Sequence, residues 1–175
     1  MQKGFFFEKI FHLMLLPFNQ LPDYSRVWVY QAERKLNEQE LVIVRQRLSR
    51  FCEGWNTHGN GMPTSFEVFD DQILVLAVDE SGLGASGCSI DSSVKVLKEL
   101  ESLLGINLTD QGKVSVRNTE GALIVFPALG LKSKVQAGEL TLEQEVINPM
   151  IRTKADLHQL WQPVRNSWLN KYFPN

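Results

Sequence analysis

Six consecutive apolar residues, Ile73 to Val78, constrain this chain more than any other feature. A strand turns alternate side chains to opposite faces, so a run without a polar residue needs cover on both faces and belongs mid-sheet. Just before it, Ser65 to Phe69 reads as a second strand, with Asp70 and Asp71 forming a tight hairpin turn between the two. Arg26 to Ala32, RVWVYQA, is rich in β-branched and aromatic residues. Both of its faces are mostly apolar, which predicts another central strand.

Helical patterns fall between these strands. Asn37 followed by Glu40 is a capping-box signature, after which Leu41, Val44, Leu48, Phe51, Cys52 and Trp55 recur at helical spacing. A second helix is predicted over Cys88 to Leu104, with Ile90, Val94, Leu97, Leu100 and Leu104 inward and Gly105 at the stop. Asn56 to Thr64 reads as loop, and Lys113 to Arg117 and Gly121 to Ala128 as two more strands. The order β-α-β-β-α-β predicts an α+β protein, specifically a ferredoxin-like sandwich with two helices on one face of an antiparallel sheet. The expected organisation is an amphipathic N-terminal extension (1–20), the ferredoxin-like domain with an extra strand (21–152), and a helical tail packed on it (153–175). The tail opens with a capping pair at Thr153 and Asp156 and is broken by Pro163, with Trp161 and Trp168 assigned to packing. The sheet face without helices needs cover from the two termini or from a second chain, which keeps a homo-oligomer open.

Charge and cysteine content narrow the function classes. Eighteen Lys and Arg against 20 Asp and Glu in 175 residues give a net charge of -2, so no basic field draws nucleic acid. Two cysteines make no disulfide scaffold, no ligand spacing suggests zinc, and His12 and His158 have no ligand-spaced partner, so neither a metal nor another cofactor is expected. The apolar stretch at 5–18 is interrupted by Glu8, Lys9 and His12, well short of the ~20 residues a spanning helix needs. No transmembrane segment or secretion signal is expected, and the predicted location is cytoplasmic.

The loop at 79–93, DESGLGASGCSIDSS, carries the candidate chemistry. Gly82, Gly84 and Gly87 spell G-x-G-x-x-G, but a dinucleotide site needs a parallel βαβ unit, and the strand before this loop is the second arm of a hairpin. Aligned with a phosphate-binding P-loop, Cys88 stands where the lysine belongs, so nothing cationic reaches the β- and γ-phosphates and ATP hydrolysis is not expected. A smaller anion could take backbone N–H and hydroxyl donors from Gly84, Ser86, Gly87 and Ser89 at the helix start, against the nearby Asp79, Glu80 and Asp91. Cys88 lies at the positive end of the helix, and the ferredoxin-like layout puts it on one rim with Trp55, His58, Asp79 and Glu80. A thiol nucleophile with His58 as its base is therefore the enzymatic alternative.

Three strings carry a family resemblance: RVWVYQA, VDE-x-x-x-GASGCSID-x-SV, and the ending TKADLHQLWQPVRNSW. Across roughly Phe18 to Phe173 they resemble a family of small Bacteroidota proteins that often carry the label "ABC transporter ATPase". The resemblance implies that label and no defined activity. The leading expectation is a small non-catalytic binding or assembly module.

Overall fold

The computed structural model describes residues 15–174. Most of the expected amphipathic extension, with His12, lies outside them. In chain order the elements are β1 (Arg26–Gln31), α1 (Glu38–Gly54), β2 (Asn56–Thr57), β3 (Asn60–Gly61), β4 (Thr64–Phe69) and β5 (Ile73–Val78). They continue with α2 (Gly87–Leu104), β6 (Lys113–Arg117), β7 (Leu123–Pro127), α3 (Leu131–Gln136), β8 (Glu145–Ile147) and β9 (Trp161–Pro163). The class is α+β.

Every residue of β5 is buried, as its apolar run requires. It is the middle of a three-stranded sheet of order β1-β5-β4, antiparallel to both neighbours. Asp70 and Asp71 make the β4–β5 turn with φ of +54° and +55°, a left-handed pair closed by the Gln72 amide donating to the Phe69 carbonyl at 3.0 Å. On one face lie α1 and α2, closing a core of Val44, Leu48 and Cys52 from α1, Leu97 and Leu100 from α2, and Leu74 and Leu76 from β5. The other face is covered by the chain itself: Leu21, Ile147, Ile151 and Leu160 pack on Val27, Ile73, Val75 and Ala77.

The capping box of α1 forms as the sequence predicts. Asn37 Oδ1 accepts from the Glu40 amide and Glu40 accepts from the Asn37 amide, both at 2.9 Å, while Arg34 grips the Glu40 carboxylate through two 2.8 Å bonds. The Arg34 guanidinium, then the Asn37 amide, holds the Glu40 carboxyl down at about 2. A depressed carboxylate stabilises the fold above its ordinary value of 4.5 and loses that contribution as pH falls toward about 2. The stability gap between wild type and Glu40→Gln, followed by urea denaturation, should be below about 1 kcal/mol at neutral pH and close across that window.

The inward face of α2 is rotated from the predicted one. Ser89, Ser93, Leu97 and Leu100 are buried, while Ile90 and Val94 are only half-buried. The two serines return their hydroxyls to the carbonyls of Ser86 and Ile90, at 2.8 and 2.6 Å. Their small size lets the indole of Trp55 reach the Ser89 carbonyl at 2.8 Å.

The ferredoxin-like sandwich does not form, because the strands divide between two sheets. The strand expected to complete the first sheet beside β1 is β6, which instead enters a second sheet of order β7-β6-β8-β9. Both edges of β6 are taken, one by β7 and the other by β8. The Asn118–Ala122 turn, in which Asn118 Oδ1 accepts from the Glu120 and Ala122 amides, folds β7 straight back onto β6. Val114, Val116 and Phe126 then bury against Leu131, Leu140, Val164 and Leu169 in a separate core.

The predicted helical tail is also replaced. It forms 3-10 turns at Ala155–Gln159, Val164–Asn166 and Trp168–Tyr172, with β9 between the first two. Two short helices meeting at Pro163 were expected; instead residues 161–163 pair with β8 as β9, between Leu160 in the first core and Val164 and Leu169 in the second. Of the expected capping box one half forms, with Asp156 accepting from the Thr153 amide at 2.8 Å, while the Asp156 amide donates to the Thr153 backbone carbonyl at 3.1 Å.

Candidate functional site

The loop predicted at 56–64 folds as the small β2–β3 hairpin, and His58 sits in its turn with φ of +50°. Cys88, the second residue of α2, is exposed. The two line one hollow of about 410 Å³ with Phe51, Trp55 and Ser92. No hydrogen bond joins the imidazole to the thiol. Asp79 and Glu80 do not line this hollow, so the expected five-residue rim divides. Asp79 accepts from the Ser81 amide at 2.9 Å, and Glu80 turns toward Arg26 at 3.5 Å.

The glycine loop uses its own donors. Glu80 Oε1 accepts from the Ala85 amide at 2.8 Å, Ser86 Oγ caps the Ser89 amide at 3.2 Å, and the Ser86 amide donates to Thr57 Oγ1 at 3.2 Å. Of the donors expected to gather an anion, the Ser86 and Ser89 amides are thus taken by hydroxyls, and a carboxylate of the chain itself holds the Ala85 amide between them and Gly84. None of Gly82, Gly84 and Gly87 has a positive φ, and β5 ahead of them is antiparallel on both sides, so the dinucleotide fingerprint lacks its context.

The two cysteines have opposite surroundings. Cys52 is fully buried, and burial pushes its thiol up to about 12, whereas Cys88 is exposed. Iodoacetamide should therefore modify one thiol per native chain, at Cys88, and a second only after unfolding, as intact-mass spectrometry reads directly. Equal labelling of both in the native state would contradict this packing.

A larger site lies where β6 was expected. In an antiparallel ladder alternate residues point their backbone groups to opposite edges. Ala32 donates to Gln72 on the β5 side and Val27 donates outward to the Arg152 carbonyl at 2.9 Å, so Val27, Val29 and Gln31 present theirs on the outer edge of β1. At the far end Lys113 Nζ donates to the Gln31 carbonyl at 2.5 Å, and the Ser115 amide donates to Gln31 Oε1 at 2.9 Å. Between these closures the Val29 amide and carbonyl and the Gln31 amide have no hydrogen-bond partner among the described residues. Strand β1 is thus an edge strand, against the central position predicted for it.

That edge opens into a cleft of about 600 Å³ between the two sheets. Arg26, Lys113 and Arg152 line it, and no Asp or Glu does. Burial lowers the Lys113 ammonium from its ordinary value, and Arg152 spends its guanidinium on the carbonyls of Pro149 and Ile151. Trp28 and Trp168 add aromatic wall. Trp168, expected to be packed, is 37% exposed, and Leu129 at 91% and Met150 at 69% follow the lining residues Ala128 and Pro149 in the chain. A depression of about 790 Å³ on the solvent side of the helices, spanned by Arg47, Lys95 and Glu99, is a shallow surface under mixed charges.

No sequence signal marked Trp28, Lys113 or Arg152 as functional, since periodicity places side chains on faces and the cleft opens at an edge. No family model, no curated protein and no solved structure matches this chain. Among the described residues no group of acidic, His and Cys side chains could hold a metal, and no helix is long and apolar enough to cross a membrane.

Proposed function

We propose that this protein is a non-catalytic binding module whose ligand seat is the cleft between the two sheets. What supports the reading is one observation: unsatisfied backbone groups of β1 open into a cleft lined by cations and aromatics without a carboxylate. Unpaired polar groups in a walled cleft favour a ligand that completes them, and the charge imbalance favours an anionic one. The test is amide NMR of the full chain titrated with a panel of short peptides and small carboxylates. Shifts should cluster at Val29, Gln31, Lys113, Arg152 and Trp168. Shifts confined to the His58 and Cys88 hollow would reject the reading.

Thiol chemistry at Cys88 is the second reading, favoured by its exposure beside His58. If His58 activates the thiol, His58→Ala should slow alkylation of Cys88 by about tenfold or more. An unchanged rate removes the dyad.

A further inference from the structure

We propose that the outer edge of β1 receives an extended, acidic segment of a partner protein as an added strand. The inference rests on the cleft being the ligand seat and names the class of ligand. An outward residue of a strand recurs every second position, so the Val29 and Gln31 groups repeat about 6.8 Å apart, a spacing that an extended backbone matches. The slot has two ends. The Arg152 carbonyl occupies the Val27 amide and Lys113 occupies the Gln31 carbonyl, leaving room for three or four residues at about 3.4 Å each.

Three features select the occupant. The walls carry Arg26, Lys113 and Arg152 with no Asp or Glu, in a chain whose net charge is -2. A second copy pairing through the same edge would bring these cations against their own duplicates, which disfavours self-association here. The exposed Leu129 and Met150, each next in the chain to a lining residue, and Trp168 in the wall give neighbouring side chains of a docked segment apolar surface to cover. Because β6 is held in the second sheet by β7 and β8, no described strand fills the position beside β1. An unblocked edge normally invites indiscriminate pairing, and here the cleft walls restrict access to a single extended segment of complementary charge.

The experiment uses the full chain and a fluorescein-labelled hexapeptide of alternating valine and glutamate, read by anisotropy and mapped by amide NMR. Saturable binding with shifts at Val29 and Gln31 is expected. N-methylation of the amides on one edge of the peptide, which removes strand pairing and keeps the charge, should weaken binding by about tenfold or more, as should Arg152→Glu and the valine–lysine peptide. Should the N-methylated peptide bind as tightly at the same cleft residues, strand addition is wrong while the cleft remains the ligand seat. Should no anionic ligand shift any cleft residue, the binding-module reading fails with it. A benzophenone side chain introduced at Leu129 of the isolated protein tests the other occupants. A photo-crosslink to residues 1–14 of the same chain or to a second copy would overturn the assignment to a partner.

Discussion

Truncating Trp55 to alanine will lower folding stability by about 3–5 kcal/mol, the range for removing a buried indole from a packed core. Trp55 is 2% exposed, its ring centroid lies 4.8 Å from Phe51 and 5.7 Å from Trp28, and its Nε1 donates to Ser89 across the α1–α2 interface. It therefore ties the end of α1 to the start of α2 and to the face of β1. Against the 5–15 kcal/mol typical of a whole domain, the loss is large, and the melting temperature should fall by roughly 6–20 °C. Trp55→Phe separates the contributions. The ring stays and the donor goes, but the Ser89 carbonyl keeps the Ser92 hydroxyl at 2.6 Å, so the cost should be only about 1–2 kcal/mol. The indole also floors the hollow beside Cys88, and Cys52 is buried in the same core, so Trp55→Ala should expose Cys52 to iodoacetamide in the native state. A loss below about 1 kcal/mol for the alanine variant, measured by urea denaturation, would show that this cluster is not the anchor described here.

Arg117→Ala should have the second largest effect, about 2 kcal/mol, because it breaks a network and not a lone surface pair. The guanidinium lies 4.3 Å over the Trp161 ring, donates to Asp70 Oδ2 at 2.6 Å and approaches Glu145 at 3.4 Å, while Trp161 Nε1 donates to the same Asp70 oxygen at 3.2 Å. Asp70 sits in the β4–β5 turn of the first sheet, whereas Arg117, Glu145 and Trp161 belong to the second. Strand β6 thus fastens the two sheets at both ends, with Arg117 on Asp70 and Lys113 on Gln31. Arg117→Lys should recover less than half of the loss, because an ammonium neither forks across two carboxylates nor stacks on an indole as a guanidinium does. In a double-mutant cycle with Trp161→Ala the coupling should exceed about 0.5 kcal/mol. Additive effects, or a total loss below that figure, would mean that the sheets are held by their cores alone.

Much of the first sheet was legible because its signals are short-range. The apolar run at Ile73–Val78, the Asp70-Asp71 turn and the Asn37 capping box each depend on residues within a few positions, and each forms as expected. The second sheet was not legible. The β6–β7 hairpin could be read from its turn, but the addition of β8 and β9 joins residues tens of positions apart, with three-residue strands too short to show a period. The tail misled for a related reason: its apolar positions fit a helical repeat, but they serve two separate cores. Of the candidate site, Cys88 and His58 lie on one hollow, whereas the Ser86 and Ser89 amides of the glycine loop turn to the Thr57 and Ser86 hydroxyls.

By itself the sequence determined which residues of β5 and α1 face a core, though not those of α2. Alternation along β1 and β5 and the helical repeat of α1 follow from backbone geometry, and burial of apolar area enforces them wherever the elements are placed. Only the tertiary structure decided what lies along the edge of β1, since edge pairing is made by backbone groups that every residue shares. Side-chain chemistry therefore does not encode it, and the cleft exists because β6 found nearer partners in β7 and β8.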